Sequence, residues 1–272
     1  MRLLKSKSLI LDVYGAFVRG LGGWIAVSHL IELMGALGSD EQVVRSSVSR
    51  FMRKGLLARR KVGDAIGYEL TESALSILAE GDDRIYNRLE PGRIEDGWTL
   101  ATFSIPEESR AKRHQLRSRL NWLGFGSLGG GAWIAPRRML EDTQRMVEEL
   151  GLQPYVDIFE AQYTAFADLS DLVHRCWDIP AMRKAYQEYI DEMAPVIEEY
   201  EHVEADDIRH KAFADYVYAI HEWRKLPFVD PGLPPDLLPH DWEGKPGATL
   251  FNRFRRELEP AARRHVIDVV RG

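Results

Sequence analysis

The chain of 272 residues is 45% hydrophobic and 29% charged, carries a formal net charge of −6 and contains one cysteine. This is an ordinary water-soluble composition for two or three domains, and it excludes an internal disulfide or a cysteine-rich zinc site. No apolar stretch approaches the ~20 residues that span a bilayer. Met1-Arg-Leu-Leu-Lys-Ser-Lys7 lacks the apolar core and cleavage site of a signal peptide, so a cytoplasmic, reducing location is expected.

In chain order, Leu9 to Val18 is an apolar helical stretch, and Trp24 to Met34 reads as a second, with Val27, Leu30, Ile31 and Met34 apolar. Gly35-Ala-Leu-Gly-Ser39 is a short connection, with Ser39 or Asp40 able to cap a third helix. The next segment inverts the sign of the chain. Glu41 to Lys61 holds seven Lys/Arg and one acid, a net +6, so the remainder carries −12. Within it Val44, Val48, Phe51 and Met52 form the apolar stripe of an amphipathic helix, with Arg45, Ser46, Ser49, Arg50 and Arg53 opposite and Gly55 at the stop. Leu56 to Val62 and Ile66 to Leu70 are strand-like runs around Gly63-Asp64, and Thr71-Glu-Ser-Ala restarts a helix.

Helix, short turn, helix and basic hairpin predict a winged helix-turn-helix over residues 1–90, gripping double-stranded DNA. Arg45, Ser46, Ser49, Arg50 and Arg53 would read base edges, while Arg59, Arg60 and Lys61 on the wing, with Arg2, Lys5 or Lys7, would meet phosphates. A charged helix face alone is as easily a solvated one. The two preceding helices and the basic hairpin favour the DNA reading.

A boundary is expected near Arg88-Leu-Glu-Pro-Gly92. Beyond it, Trp98 to Ile105 reads as a strand, Glu107 to Leu123 as a helix, and Ser127–Leu128 with Ala132–Ala135 as a hairpin around Gly129-Gly-Gly131. Met139 to Leu150 follows as a helix and Val156 to Ala165 as a strand. The order β-α-β-β-α-β is the ferredoxin-like unit, assigned to residues 91–167 for coupling or dimerisation. Residues 168–272 read as a helical C-terminal domain interrupted by the proline-rich stretch Pro227 to Pro239. The predicted class is therefore α+β.

The module order, together with Trp98–Pro106, Gly129–Pro136, Trp223-Arg224, Asp230-Pro-Gly-Leu-Pro-Pro-Asp-Leu-Leu-Pro239, Trp242-Glu-Gly244 and Leu250-Phe251, resembles the PaaX-type repressors of phenylacetic acid catabolism. The resemblance covers nearly the whole chain. It implies a homodimeric, non-enzymatic DNA-binding repressor released from its operator by an aryl-acyl coenzyme A effector such as phenylacetyl-CoA, with no further cofactor. Candidate effector residues are Arg175, Trp177, Trp223, Arg224, Arg253 and Arg256, with Arg255 and Trp242 nearby in sequence. The expected effector site lies between the middle and C-terminal domains. Trp177, Trp223 and Trp242 could form an aromatic wall for an aryl ligand, although three large aromatics in a helical domain are more often core.

Two alternatives remain on the sequence. The middle segment also resembles the small CRISPR-associated ferredoxin-fold nuclease, whose first strand ends in a metal-binding aspartate; here Ser104 stands at that place. A neutral hydroxyl is a poor ligand for a hard cation, so no metal site and no nuclease activity are expected. Glu198, Glu199, His202, Asp206 and His210 have helical spacing that could suit a metal sensor, although an acidic run of this kind is more often a solvated face.

Overall fold

The computed structural model describes residues 6–87, 91–164 and 166–271. The first elements are α1 (Ser6–Val13), continued by a helical turn to Val18, then β1 (Trp24–Ala26), α2 (Val27–Ala36), α3 (Glu41–Arg53), β2 (Leu57–Val62), β3 (Ala65–Leu70) and α4 (Glu72–Asp82). The next are β4 (Trp98–Phe103), α5 (Arg110–Trp122), β5 (Gly126–Gly129), β6 (Ala132–Pro136), α6 (Leu140–Glu149) and β7 (Val156–Ala161). Five helices complete the chain: α7 (Leu169–Cys176), α8 (Ile179–Glu198), α9 (Arg209–Trp223), α10 (Gly244–Glu257) and α11 (Glu259–Arg271). The α+β class, the winged helix, the ferredoxin-like sheet and the helical C-terminal stretch are all present.

These elements gather into two compact units. One comprises residues to Arg84 with Tyr189–Trp223 and Pro246–Gly272; the other comprises Ile85–Glu188 and Arg224–Lys245. Residues 168–272, expected as one domain, thus divide between the two. Helical periodicity marks which residues of a helix are apolar. It does not say which partner covers them.

In the first unit α1 and its continuation bury Leu9, Ile10, Val13, Tyr14, Phe17 and Val18. That is two adjacent rows of a helix facing inward. α2 adds Leu30, Leu33 and Met34, and α3 adds Val44 and Val48. The core is closed from the far end of the sequence, by Phe213, Tyr216, Val217 and Ile220 of α9 and Ala262 and Val266 of α11. Phe17 packs against Phe213 and Tyr216 at ring separations of 5.5 and 6.0 Å. Tyr218 donates its hydroxyl to Leu37 O (2.9 Å) in the turn between α2 and α3. His221 Nδ1 lies 2.7 Å from Asp12 Oδ2.

One element departs from expectation. Trp24–Ala26 is a strand, and α2 begins only at Val27. Gly22 and Gly23, with φ of 99° and 79°, stop the preceding helical turn. The chain then finds its hydrogen bonds along β3, with Trp24 opposite Glu69 and Ala26 opposite Gly67.

The second unit holds a four-stranded antiparallel sheet in the order β5-β6-β4-β7, the ferredoxin-like arrangement. Alternation along each strand sorts the side chains by face. Ala101, Trp133 and Ala135 pack with Leu116, Leu120, Met146 and Val147 of α5 and α6. Trp98 and Ile134, of opposite parity, pack with Leu172, Val173, Trp177, Ile179 and Met182 and with Leu233 and Leu237 of the proline-rich stretch. Asp230 anchors that stretch. Its carboxylate accepts from Gly232 N (2.8 Å), Leu233 N (3.3 Å) and the Tyr186 hydroxyl (2.9 Å), and burial holds its carboxyl above the usual range. The last strand is shorter than predicted, ending at Ala161, and Ala165 lies outside the described residues.

Candidate nucleic-acid interface

α3 starts after Asp40, which takes the extended backbone of an N-cap without a side-chain cap bond, and Glu41 sets an acid in the first turn. Val44, Ser47 and Val48 are buried and Phe51 is half-buried. The inward face also includes Ser47, which the predicted stripe did not contain, and Met52, predicted inward, is 37% exposed. A helix advances 100° per residue, which carries Met52 off the narrow seam that Val44 and Val48 define. Arg45, Ser46, Ser49 and Arg53 are exposed, and Arg50 is half-buried with Nη2 3.4 Å from Ser47 Oγ. Arg45, Ser46, Ser49 and Arg53 thus share one outward side of α3, with Arg50 at its edge.

The end of α3 is tied to the hairpin. Gly55 (φ 70°) takes the left-handed turn that closes the helix, with Leu56 N bonded to Phe51 O (2.9 Å). Thr71 caps α4 by accepting from Ala74 N (3.2 Å), and its hydroxyl donates to Gly55 O (2.6 Å).

β2 and β3 form the wing, with Arg60 opposite Gly67 and Lys61 opposite Ile66. A bracing contact was not foreseen from sequence. The Trp24 indole lies across Gly67 and donates Nε1–H to Arg60 O (3.2 Å). A Cβ at Gly67 would sit 2.3 Å from Ile25 O and 2.5 Å from the Trp24 ring, so only glycine fits. The signal available in the sequence was Gly67 inside an otherwise regular strand pattern. On the far side, the Tyr14 hydroxyl donates to Tyr68 O (3.1 Å).

The wing charges are unequal. Arg60 pairs with Glu69 (2.7 Å) and Lys61 stands 3.5 Å from Asp64, whereas Arg59 ion-pairs with no acid among the described residues. Arg2 and Lys5 lie outside the described residues, as does the Lys7 side chain.

The effector candidates are scattered. Trp177 belongs to the core of the second unit, with Nε1–H bonded to Gly124 O (2.8 Å), and Trp223 belongs to the core of the first, stacked on Phe251 at 5.0 Å. Both rings are buried, Trp177 to 8% and Trp223 to 3% exposure. Arg175 is exposed and Arg224 half-buried. Arg253 bonds Glu257 (3.2 Å) and Glu201 (3.3 Å), and Arg256 bonds Glu257 (2.7 Å). Trp242 sits edge-on to Tyr186.

Ser104 is exposed just beyond β4, its N–H donating to Tyr155 O (3.0 Å). No group of three His, Cys, Asp or Glu among the described residues could hold a metal ion. In the acidic stretch, Asp206 is held between Arg264 and Arg209, both at 2.7 Å, which keep its carboxyl below the usual range, and Glu199 pairs with Lys211 (3.0 Å). These acids are committed to ion pairs.

A helix-turn-helix with a braced basic wing, followed by a ferredoxin-like sheet, defines a winged-helix protein with an appended ferredoxin-like domain. Three family models match it: PaaX-like protein over residues 5–74, the PaaX protein central Cas2-like domain over 91–173, and the PaaX-like protein C-terminal domain over 177–268. The chain belongs to the PaaX family. It is 28% identical over 258 residues to the transcriptional repressor PaaX of Escherichia coli (strain K12), which spans 94% of this chain and 81% of that protein. Its fold is also similar to that of the uncharacterized protein Rv0674 from Mycobacterium tuberculosis, with a TM-score of 0.61, 23% identity and coverage of 98% and 99% of the two chains.

Proposed function

We propose that this protein is a DNA-binding transcriptional repressor of a phenylacetate-type catabolic operon, acting as a regulator and not as an enzyme. The observation that carries the reading is the outward face of α3, where Arg45, Ser46, Ser49 and Arg53 stand clear of the core beside a wing bearing Arg59, Arg60 and Lys61. In a chain of net charge −6, a surface of that sign and shape fits the major groove and the adjoining phosphates. The relative named as a transcriptional repressor supports the same reading.

The reading extends to a cytoplasmic homodimer released from DNA by an aryl-acyl-CoA. A ligand moves such an equilibrium only by its differential affinity for the bound and free states. The Trp177 and Trp223 rings, being core, are not part of this proposal.

The experiment is a gel shift on duplexes that the protein selects from a randomised library. Arg50→Ala is expected to weaken binding by about 1–3 kcal/mol and relax base preference, and Arg59→Ala to weaken all duplexes alike and lower the salt slope by about one unit. Equal binding of selected and unselected DNA by the unaltered protein overturns the repressor reading. Phenylacetyl-CoA is expected to release the selected duplex where free coenzyme A and phenylacetate do not; release by phenylacetate alone removes the thioester from the proposal.

A further inference from the structure

Glu41 is the only acid in the basic segment, and it stands one helical turn before Arg45. Its Oε1 receives Arg45 Nε and Nη2, both at 2.7 Å. A guanidinium has two forked donor edges, a side edge made by Nε and Nη2 and an end made by Nη1 and Nη2. Glu41 occupies the side edge. The end fork is left directed away from the carboxylate, and such a fork matches N7 and O6 of guanine in the major groove.

We infer that Glu41 is a positioning residue that sets base specificity: it holds Arg45 so that its end fork reads guanine. The inference rests on the reading of α3 as the helix that enters the major groove. Both side chains are 57% exposed in the free protein, so the pair adds little to folding there. Its effect grows on binding, when the groove displaces water from it. An unrestrained arginine can swing between several bases and the nearby phosphates, whereas one clamped by a carboxylate has lost that freedom before it meets DNA. The same carboxylate repels phosphates of any sequence. Glu41 thus lowers affinity for all DNA while raising discrimination, and these two effects have opposite signs. A merely structural role for Glu41 would move both in the same direction.

The test uses the full chain with two probes, the duplex pool selected by the unaltered protein and the unselected library. Glu41→Ala is expected to bind the unselected library several-fold more tightly while its preference for guanine at one position falls by roughly 5- to 150-fold, the range a bidentate contact supplies. Glu41→Gln, whose amide oxygen still accepts from Arg45, is expected to restore part of that preference. Arg45→Ala is expected to lose the same guanine preference, and Glu41→Ala added to it to change base preference no further. A further change in the double variant means Glu41 reads a base itself and overturns the inference. So does an unchanged preference in Glu41→Ala beside a defective Arg45→Ala, with the DNA-binding reading intact. An Arg45→Ala protein that selects the same DNA as the unaltered one overturns this inference and the assignment of Arg45 together. Thermal melting of each variant controls for folding.

Discussion

His221 of α9 and Asp12 of α1, 209 residues apart in the chain, meet at 2.7 Å with 6% of each side chain exposed. The pair joins a helix near the end of the sequence to the helix on which the DNA-reading module is built. Asp12→Ala removes a buried acceptor from beside a buried imidazole, which costs about 1–3 kcal/mol. Urea unfolding is expected to show the midpoint lowered at an unchanged slope. A midpoint equal to that of the unaltered protein would mean that the pair contributes nothing.

Gly67→Ala is expected to push the wing off β1, because the added carbon meets both the Ile25 carbonyl and the Trp24 ring. Overpacking of this kind costs about 1–3 kcal/mol. Trp24→Ala relieves only the ring contact, so the double variant should remain displaced by the carbonyl. Melting temperature and affinity for unselected duplex DNA, measured side by side, report the fold and the wing. Unchanged values for both in Gly67→Ala would refute the bracing contact.

His265 on α11 packs 5.4 Å from the Phe213 ring, and burial, aided by His210, lowers its pKa against the opposing pull of Glu32 and Asp268. The folded state therefore binds the proton less well than the unfolded chain. Its contribution to stability is complete above the ordinary imidazole value of about 6.5 and is lost as pH falls through the lowered folded value. The melting temperature should decline on acidification below neutrality, and His265→Phe should flatten the decline. Parallel curves for the two proteins would exclude His265 as a source of the acid sensitivity.

With Ser104 at the end of β4, incubation with Mg²⁺ or Mn²⁺ and single- or double-stranded nucleic acid should leave the polymer intact. Cleavage abolished by EDTA would reverse the argument from the missing carboxylate. A metal effect on DNA binding without cleavage would redirect attention to Glu199, His202, Asp206 and His210.

The sequence was most legible where local periodicity and charge decide the outcome. α3, the wing, the Gly55 stop and the β-α-β-β-α-β order of the middle segment all follow from patterns within some twenty residues. Trp24–Ala26 was misread because three apolar residues before a helix look like its first turn, while their true partners lie on β3, more than forty residues on. Met52 was placed inward because a four-residue stripe cannot show where a narrow seam ends. The placement of Trp177 and Trp223 in packed cores depends on contacts with Gly124 and Phe251 that no local pattern announces. Glu41 was visible only as the odd acid in a basic run; its grip on Arg45 is a rotamer, and rotamers are not written in spacing.

The Asp12–His221 and Tyr218–Leu37 contacts also bear on the order in which the chain is made. A nascent chain that has emerged only through the wing already carries every proposed base-reading arginine, yet lacks the α9 and α11 side chains that cover its apolar interior. Synthesis must run on for well over a hundred residues before that interior can close. A message cut short or a ribosome that stalls midway thus yields a fragment that carries those arginines on a module whose apolar interior is left uncovered.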